Sequence, residues 1–269
     1  MIYLDEKNEI KFFRSDKIRS THAFSTRFGG VSALEYTRSL NLAFGRGDPD
    51  ETVMENVRRF ADAVGIDAQA LISVPQIHSA DVREVTSANA GEGVSRHASF
   101  SCDGYVTSQS GLAIGVKTAD CAPLLLEARD KDERVVAVSA LHAGWRGTVS
   151  GIAREGVKKL ISCGAAPENI FVAIGPCIHR CCYEVGEDFV NNIQEKLGQN
   201  YDKKYIIKNS DGRLFADIVT INKDILMSCG VPEENIDVSP LCTCCSPELF
   251  YSHRASRGKR GAMMSVIQK

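Results

Sequence analysis

Histidine and tryptophan are scarce in this chain of 269 residues, with six of the first and one of the second. No two histidines form an H-x-H pair. A multicopper oxidase needs many imidazole ligands, usually in such pairs, so the sequence argues against a full laccase copper cluster. The zinc-deaminase signature H-x-E with P-C-x-x-C is absent as well. Neither sign of charge is in excess: 32 Lys and Arg stand against 34 Asp and Glu, a net charge of −2. That gives no electrostatic case for nucleic acid or an anionic membrane as partner. No apolar run approaches the length of a membrane span. The opening residues, MIYLDEKNEIKFF, turn acidic early and lack a signal-peptide core, so a cytoplasmic protein is expected.

Cysteine is plentiful. Ten stand at Cys102, Cys121, Cys163, Cys177, Cys181, Cys182, Cys229, Cys242, Cys244 and Cys245. In a long chain without a secretion signal they point to free thiols, metal ligands or a catalytic cysteine rather than a disulfide framework. The length suits one large domain or two small ones, and 43% hydrophobic with 25% charged residues is ordinary globular composition.

One stretch draws the chemistry together. HAGWRGT (142–148) follows the apolar run RVVAVSAL and precedes a helical pattern, VSGIAREGVKKLISCG. Strand-to-helix junctions are where α/β proteins commonly place polar sites. Arg146 at the start of a helix, between Gly144 and Gly147, suits an anion. Trp145 could stack on a flat ring or form a wall. An exposed arginine on a tight turn is the plainer alternative.

Elsewhere the patterning is legible. The first twenty residues read as an edge strand or hairpin. His22–Asp50 reads as a strand, a Gly29-Gly30 turn and a long loop, in which Arg27, Asn41 and Arg46 are candidates to touch a substrate. Val53, Val57, Phe60 and Val64 form one apolar helical stripe, with Gly65 as C-cap. ALISVPQIHSADV reads as a strand as far as a break at Pro75, then an exposed polar segment carrying His78 and Asp81. LAIGVKT reads as a strand that breaks at Ala119–Pro123 and continues as LLLEA. Asp130–Glu133 is a hairpin-type turn into RVVAVSAL, so the sheet is not purely parallel. A helix–turn–strand unit recurs: Leu160, Ser162, Cys163, Gly164, Glu168, Asn169 and Ile170 match Leu226, Ser228, Cys229, Gly230, Glu234, Asn235 and Ile236. Residues 51–78 share the plan more weakly. RASRGKRG near the C-terminus is a solvated basic loop or a phosphate-facing lid.

His78, Cys121 and His142 each close an apolar strand within a short polar motif. One thiolate and two imidazoles suit a zinc ion with an open fourth position. Cys121 with His142 equally suits a nucleophile and its base. Spacing alone also leaves room for a partly buried thiol beside structural histidines. The clusters around Cys177, Cys181 and Cys182 and around Cys242, Cys244 and Cys245 do not match a zinc-ribbon pair, so packed thiols are expected there.

QIHSADV, DGYVT, TADCAPLLL, LHAGWRGT, IGPCI with CCYEV, CT.C and FYSHR, in this order, resemble the YfiH family, also called the laccase-domain or polyphenol-oxidase-type family. The resemblance runs from about His22 to the C-terminus. It implies a single domain over 1–269, an α/β sandwich with mixed β-sheets, related in architecture to cysteine hydrolases. It maps the family's metal-site residues onto His78, Cys121 and His142, which are then the catalytic residues, with Zn²⁺ or alternatively Cu²⁺ bound. It implies phosphorolysis of adenosine, inosine or methylthioadenosine and deamination of adenosine, so purine nucleosides and phosphate are the expected partners. Arg146, Trp145, Asp120 and Asn41 are the candidate substrate-binding residues. Asp120 suits a hydrogen bond to base or ribose, or the orientation of a metal ligand. Two alternatives stand beside this: a cysteine hydrolase or editing factor acting on a peptidoglycan precursor, and a copper-dependent polyphenol oxidase.

Overall fold

The structure, a computed structural model, describes residues 1–197 and 202–269. The chain opens with the hairpin β1 (Ile2–Lys7) and β2 (Ile10–Ser15), followed by β3 (Thr21–Ser25) and the helix α1 (Asp50–Val64). Then come β4 (Val82–Glu84), β5 (Gly104–Thr107), β6 (Ala113–Thr118), β7 (Ala122–Arg129) and β8 (Val135–Ala143). The short helix α2 (Trp145–Val149) leads to α3 (Ile152–Ser162), β9 (Ile170–Ile174), β10 (Glu184–Val185), α4 (Glu187–Leu197) and α5 (Asp202–Tyr205). The last elements are β11 (Ile206–Lys208), β12 (Leu214–Ala216), α6 (Ile218–Ser228), β13 (Ile236–Val238) and β14 (Met263–Gln268).

Two sheets face each other. One is antiparallel, in the order β1-β2-β3-β14-β6; the other is mixed, in the order β13-β9-β7-β8-β5-β4. A small third sheet, β10-β12-β11, lies apart in the order of pairing. Side chains alternate across a strand, so the run Leu124-Leu125-Leu126 serves both faces of the mixed sheet. Leu125 packs between the sheets with Phe24, Ile114 and Met263. Leu124 and Leu126 pack outward against Val157 and Leu160 of α3 and Ile221 of α6. On the far side, Val53, Val57 and Phe60 of α1 cover Phe12, Ala23 and Val266 of the antiparallel sheet. Each of these fully buried side chains contributes roughly 1.5–3 kcal/mol. The result is one domain of four layers, helix–sheet–sheet–helix, the mixed α/β sandwich expected.

Three local expectations need correction. First, ALISVPQIHSADV is no regular strand. Leu71, Ile72 and Val74 are buried, but only Ile72 bridges the sheet, to Ile114. Ser73 N–H instead bonds Glu92 O, and Pro75 offers no N–H to extend a ladder. Second, LLLEA does not continue the strand before it. β6 belongs to one sheet and β7 to the other, and Asp120 turns the corner in a left-handed conformation with φ +89°. Third, the helix after HAGWRGT is two helices, broken where Gly151 takes φ +84°. The repeated units do become neighbours: β13 pairs parallel with β9, and just beyond them the backbone at Cys177 pairs with that at Cys242. Among the described residues no helix is long and apolar enough to cross a membrane.

Candidate active centre

The β7–β8 hairpin pairs Ala122 with Ala143 and Pro123 with His142. Antiparallel pairing therefore brings the start of β7, where Cys121 stands, to the end of β8, where His142 stands. His78 comes from the loop before β4. The ligand atoms of His78, Cys121 and His142 all lie within 4.8 Å of one another. The two imidazoles meet edge to face, with ring centroids 4.9 Å apart. His142 is buried, Cys121 half-buried and His78 exposed.

Asp103, at the entrance to β5, organises the group from behind. Its Oδ1 accepts from the His78 backbone N–H at 2.9 Å and from His142 Nδ1 at 2.8 Å. Its Oδ2 accepts from the Ser79 backbone N–H at 2.7 Å and Ser79 Oγ at 2.8 Å. A carboxylate only accepts, so Nδ1 of His142 carries the proton and Nε2 is left for Cys121 or a metal. The same bonds hold the His78 turn, whose φ of +60° is strained for a non-glycine residue. Asp103 is not among the residues that sequence patterning singles out, although it opens the DGYVT motif.

Electrostatics follow from this packing. Burial alone would raise the Cys121 thiol, but the charge of His142 and hydrogen bonds from His142 and His78 bring it down to about 6. Burial would lower His142, yet the Cys121 thiolate and Asp103 hold it up at about 9. Between those limits the metal-free pair is thiolate and imidazolium. In chelated protein, alkylation of Cys121 by iodoacetamide should therefore accelerate up to about pH 6 and then level off, whereas an ordinary thiol keeps accelerating to about pH 8.5. Peptide mapping by mass spectrometry across pH checks this.

Asp103 carries a stability consequence. Burial opposes its charge, but bonds from His142 and Ser79 outweigh that and hold it at about 2. A depressed carboxylate stabilises the fold above its unfolded pKa and ceases to do so as pH falls through its folded one. Metal-free protein should lose about 2 kcal/mol between pH 4 and pH 2, and Asp103→Asn should lack that acid limb. Urea unfolding as a function of pH measures it.

The glycines of HAGWRGT allow close packing. A Cβ at Gly144 would stand 3.0 Å from His78 Cδ2 and 3.2 Å from Cys121 Sγ, and one at Gly147 would stand 2.6 Å from Ser79 O. These glycines let the turn approach the other two motifs.

The cluster opens on a cavity of about 840 Å³. Arg46, Lys117 and Arg260 line it beside His78, Cys121 and His142. Lys117 is brought down to about 8 by burial, and its Nζ donates to Ser73 O at 2.7 Å. Burial and the neighbouring charge of Arg46 also lower Arg260, whose Nε is buried without a partner among the described residues.

None of the four substrate-binding candidates lines this cavity. Arg146 is exposed on a five-residue helix, its guanidinium 4.4 Å from the Trp145 ring. Trp145 packs on Phe189 at 5.6 Å. Asp120 is buried, and its oxygens accept from Thr243 Oγ1, Ser252 Oγ and the Arg254 N–H, bonds that fix the corner carrying Cys121. Asn41 is buried too, bonded to Ala43, Asp48 and Ala262; it ties together two walls of the cavity. Of the cavity's arginines, Arg46 is among the sequence's substrate-contact candidates, and Arg260 belongs to the basic RASRGKRG run, one reading of which is a phosphate-facing lid.

The family described as multi-copper polyphenol oxidoreductase laccase matches residues 21–269. The purine nucleoside phosphorylase YlmD of Geobacillus stearothermophilus is 34% identical over 250 residues, covering 90% of this chain and 88% of that protein. The adenosine deaminase RL5, from an unknown prokaryotic organism, is 32% identical over 251 residues, covering 93% of each. The crystal structure of the Bacillus licheniformis hypothetical protein YfiH superposes with a TM-score of 0.89 at 30% identity, covering 98% of both chains.

Proposed function

Because this chain belongs to the laccase-domain, YfiH-type family, we propose that it is a purine nucleoside enzyme working at the His78–Cys121–His142 centre. Its reactions are phosphorolysis of a purine nucleoside, with inosine, adenosine and methylthioadenosine as candidates, and deamination of adenosine; one relative is named a purine nucleoside phosphorylase and another an adenosine deaminase. The observation that carries the reading is a metal-capable His₂Cys set sharing one cavity with the guanidinium of Arg260, whose Nε has no partner among the described residues.

The donor set fits zinc: three ligand atoms in mutual reach, one thiol lowered toward thiolate, and one imidazole oriented by a carboxylate. A zinc ion held by His78, Cys121 and His142 would supply a Lewis acid able to polarise a substrate oxygen or acidify water. The chain does the rest. Arg260 and Arg46 hold phosphate against the ribose, so that its oxygen attacks C1′ as the bond to the purine nitrogen breaks. Their charge balances the phosphate during the displacement. Asp103 keeps His142 in one tautomer and His78 in one turn, so neither ligand is lost during turnover. The donor set does not favour multicopper oxidation, which needs more imidazoles than the two assembled here.

Inosine and adenosine incubated with and without phosphate, with products separated by chromatography, test the proposal. Base and ribose 1-phosphate should appear only with phosphate, and adenosine should yield inosine and ammonia without it. Phosphate-independent release of base, or no turnover of either, would sink it.

A second reading rests on the Cys121–His142–Asp103 chain, which has the make-up of a cysteine hydrolase triad. It predicts amide cleavage, for instance of a peptidoglycan precursor, that survives chelation and dies on alkylation of Cys121. Both readings require reduced thiols, which suits a cytoplasmic setting.

A further inference from the structure

A second group of metal-capable side chains lies outside the cavity. Cys181, Cys182, Cys242 and Cys245 place their sulfurs within 4.8 Å of one another. Cys245 Sγ stands 3.5 Å from Cys181 Sγ and 3.3 Å from Cys182 Sγ, and all four are free thiols. Four sulfurs bound to one zinc at ~2.3 Å sit roughly 3.8 Å apart, the edge of a tetrahedron. A disulfide would need about 2.05 Å. The spacing matches the first.

We infer that Cys181, Cys182, Cys242 and Cys245 form a closed four-thiolate zinc site that clamps the loop after β9 to the loop after β13.

The two strands are the parallel neighbours of the repeated units, and the loops leave them side by side, their backbones paired at Cys177 and Cys242. Cys242-x-x-Cys245 has the spacing of a zinc knuckle, which the intervening Cys244 obscures in the sequence. Backbone amides already face one sulfur: His179 N–H donates to Cys242 Sγ at 3.4 Å, and those of Cys244 and Cys245 point to the same atom. Such donors stabilise a metal thiolate. Four thiols without an ion, two of them exposed, give these loops no equivalent tie. Zinc entering the site displaces four protons and leaves the shell with a charge of −2. Arg254 lies against it, donating to Cys182 O at 3.2 Å and Glu184 O at 2.8 Å, and offsets that charge.

The clamp has a purpose in the fold. Ile178 N–H donates to Asp120 O at 2.8 Å, and Thr243 Oγ1 donates to Asp120 Oδ1 at 2.7 Å. Each joined loop therefore holds the residue that precedes Cys121. A structural ion here fixes the corner from which Cys121 reaches the active centre.

The test uses the Cys121→Ser protein, so that the active centre's own sulfur is gone and the outcome does not depend on the catalytic reading. After chelation under reductant, Co²⁺ is added anaerobically. One equivalent should bind with the sulfur-to-cobalt charge-transfer and tetrahedral d–d bands of a four-sulfur site. Adding Cys242→Ser and Cys245→Ser should abolish those bands. Absence of the four-sulfur spectrum in the Cys121→Ser protein, its persistence in the triple variant, or an intact mass showing these cysteines oxidised as isolated, overturns the inference. Should the triple variant not fold, elemental analysis of the Cys121→Ser protein as isolated decides: one zinc ion per chain is expected, and none overturns it.

Discussion

Cys121→Ala should lower both phosphate-dependent release of hypoxanthine from inosine and deamination of adenosine by roughly 10³-fold or more. The fold should survive, because Cys121 is half-buried and belongs to none of the three hydrophobic cores. Melting of the metal-free protein should shift by the equivalent of about 1 kcal/mol or less, the usual range away from the core. The two activities fall together because both depend on one ligand set. Cys121 supplies the one sulfur of the His78–Cys121–His142 group, and its charge, together with Asp103, holds His142 up at about 9. Groups that act as a unit are not additive, so Cys121→Ala with His78→Ala should be little worse than either alone. Steady-state kinetics of the single and double variants, beside their metal content, check this. A Cys121→Ala protein that keeps the parental rate on inosine removes the centre from the reaction.

The pairing of Cys121 with His142 is encoded locally. The two residues stand symmetrically about the Asp130–Glu133 turn, and the hairpin, whose register pairs Pro123 with His142, brings them to the same end. The part played by Asp103 is not encoded in the same way. It meets His142 across 39 residues of chain, through the register that sets Gly104 opposite Leu141, and no local pattern fixes that register. His78 is recognisable by its motif, but its neighbours do not form the strand their apolar pattern suggests. One bridge at Ile72 and a proline leave it on a turn, and a turn is what lets Asp103 grip three successive amides, Ile77 to Ser79. The layers are readable from Leu124-Leu125-Leu126, a run buried on both faces, and from the α1 stripe. Of the two places the sequence offers for an anion, HAGWRGT and the basic RASRGKRG run, the proposed site uses the second, for a physical reason. Gly144 and Gly147 look like a phosphate turn, whereas the space their missing Cβ atoms leave is used by His78, Cys121 and Ser79. Arginines on irregular loops, such as Arg46 and Arg260, carry no periodicity by which sequence could aim them.

Arg260→Gln separates these two locations for the anion. A charge-assisted hydrogen bond is worth about 1.5–3 kcal/mol, so the variant should raise KM for phosphate roughly 10–100-fold. KM for inosine should stay within about threefold, the scatter expected where no contact is lost. Deamination of adenosine consumes no phosphate and should be nearly unchanged. Glutamine keeps most of the side chain's length and can still donate to Gly261 O, which Arg260 reaches at 3.0 Å. Arg146→Gln is the counterpart. Its guanidinium lies over Trp145, away from the cavity lining, so KM for phosphate should move by about twofold or less. If Arg146→Gln instead raises KM for phosphate and Arg260→Gln does not, the anion sits on the α2 side of Cys121. If Arg260→Gln depresses deamination as much as phosphorolysis, its role is to shape the cavity and not to hold phosphate. The combination of a phosphate-specific defect with intact deamination is the result that only an anion site at Arg260 produces.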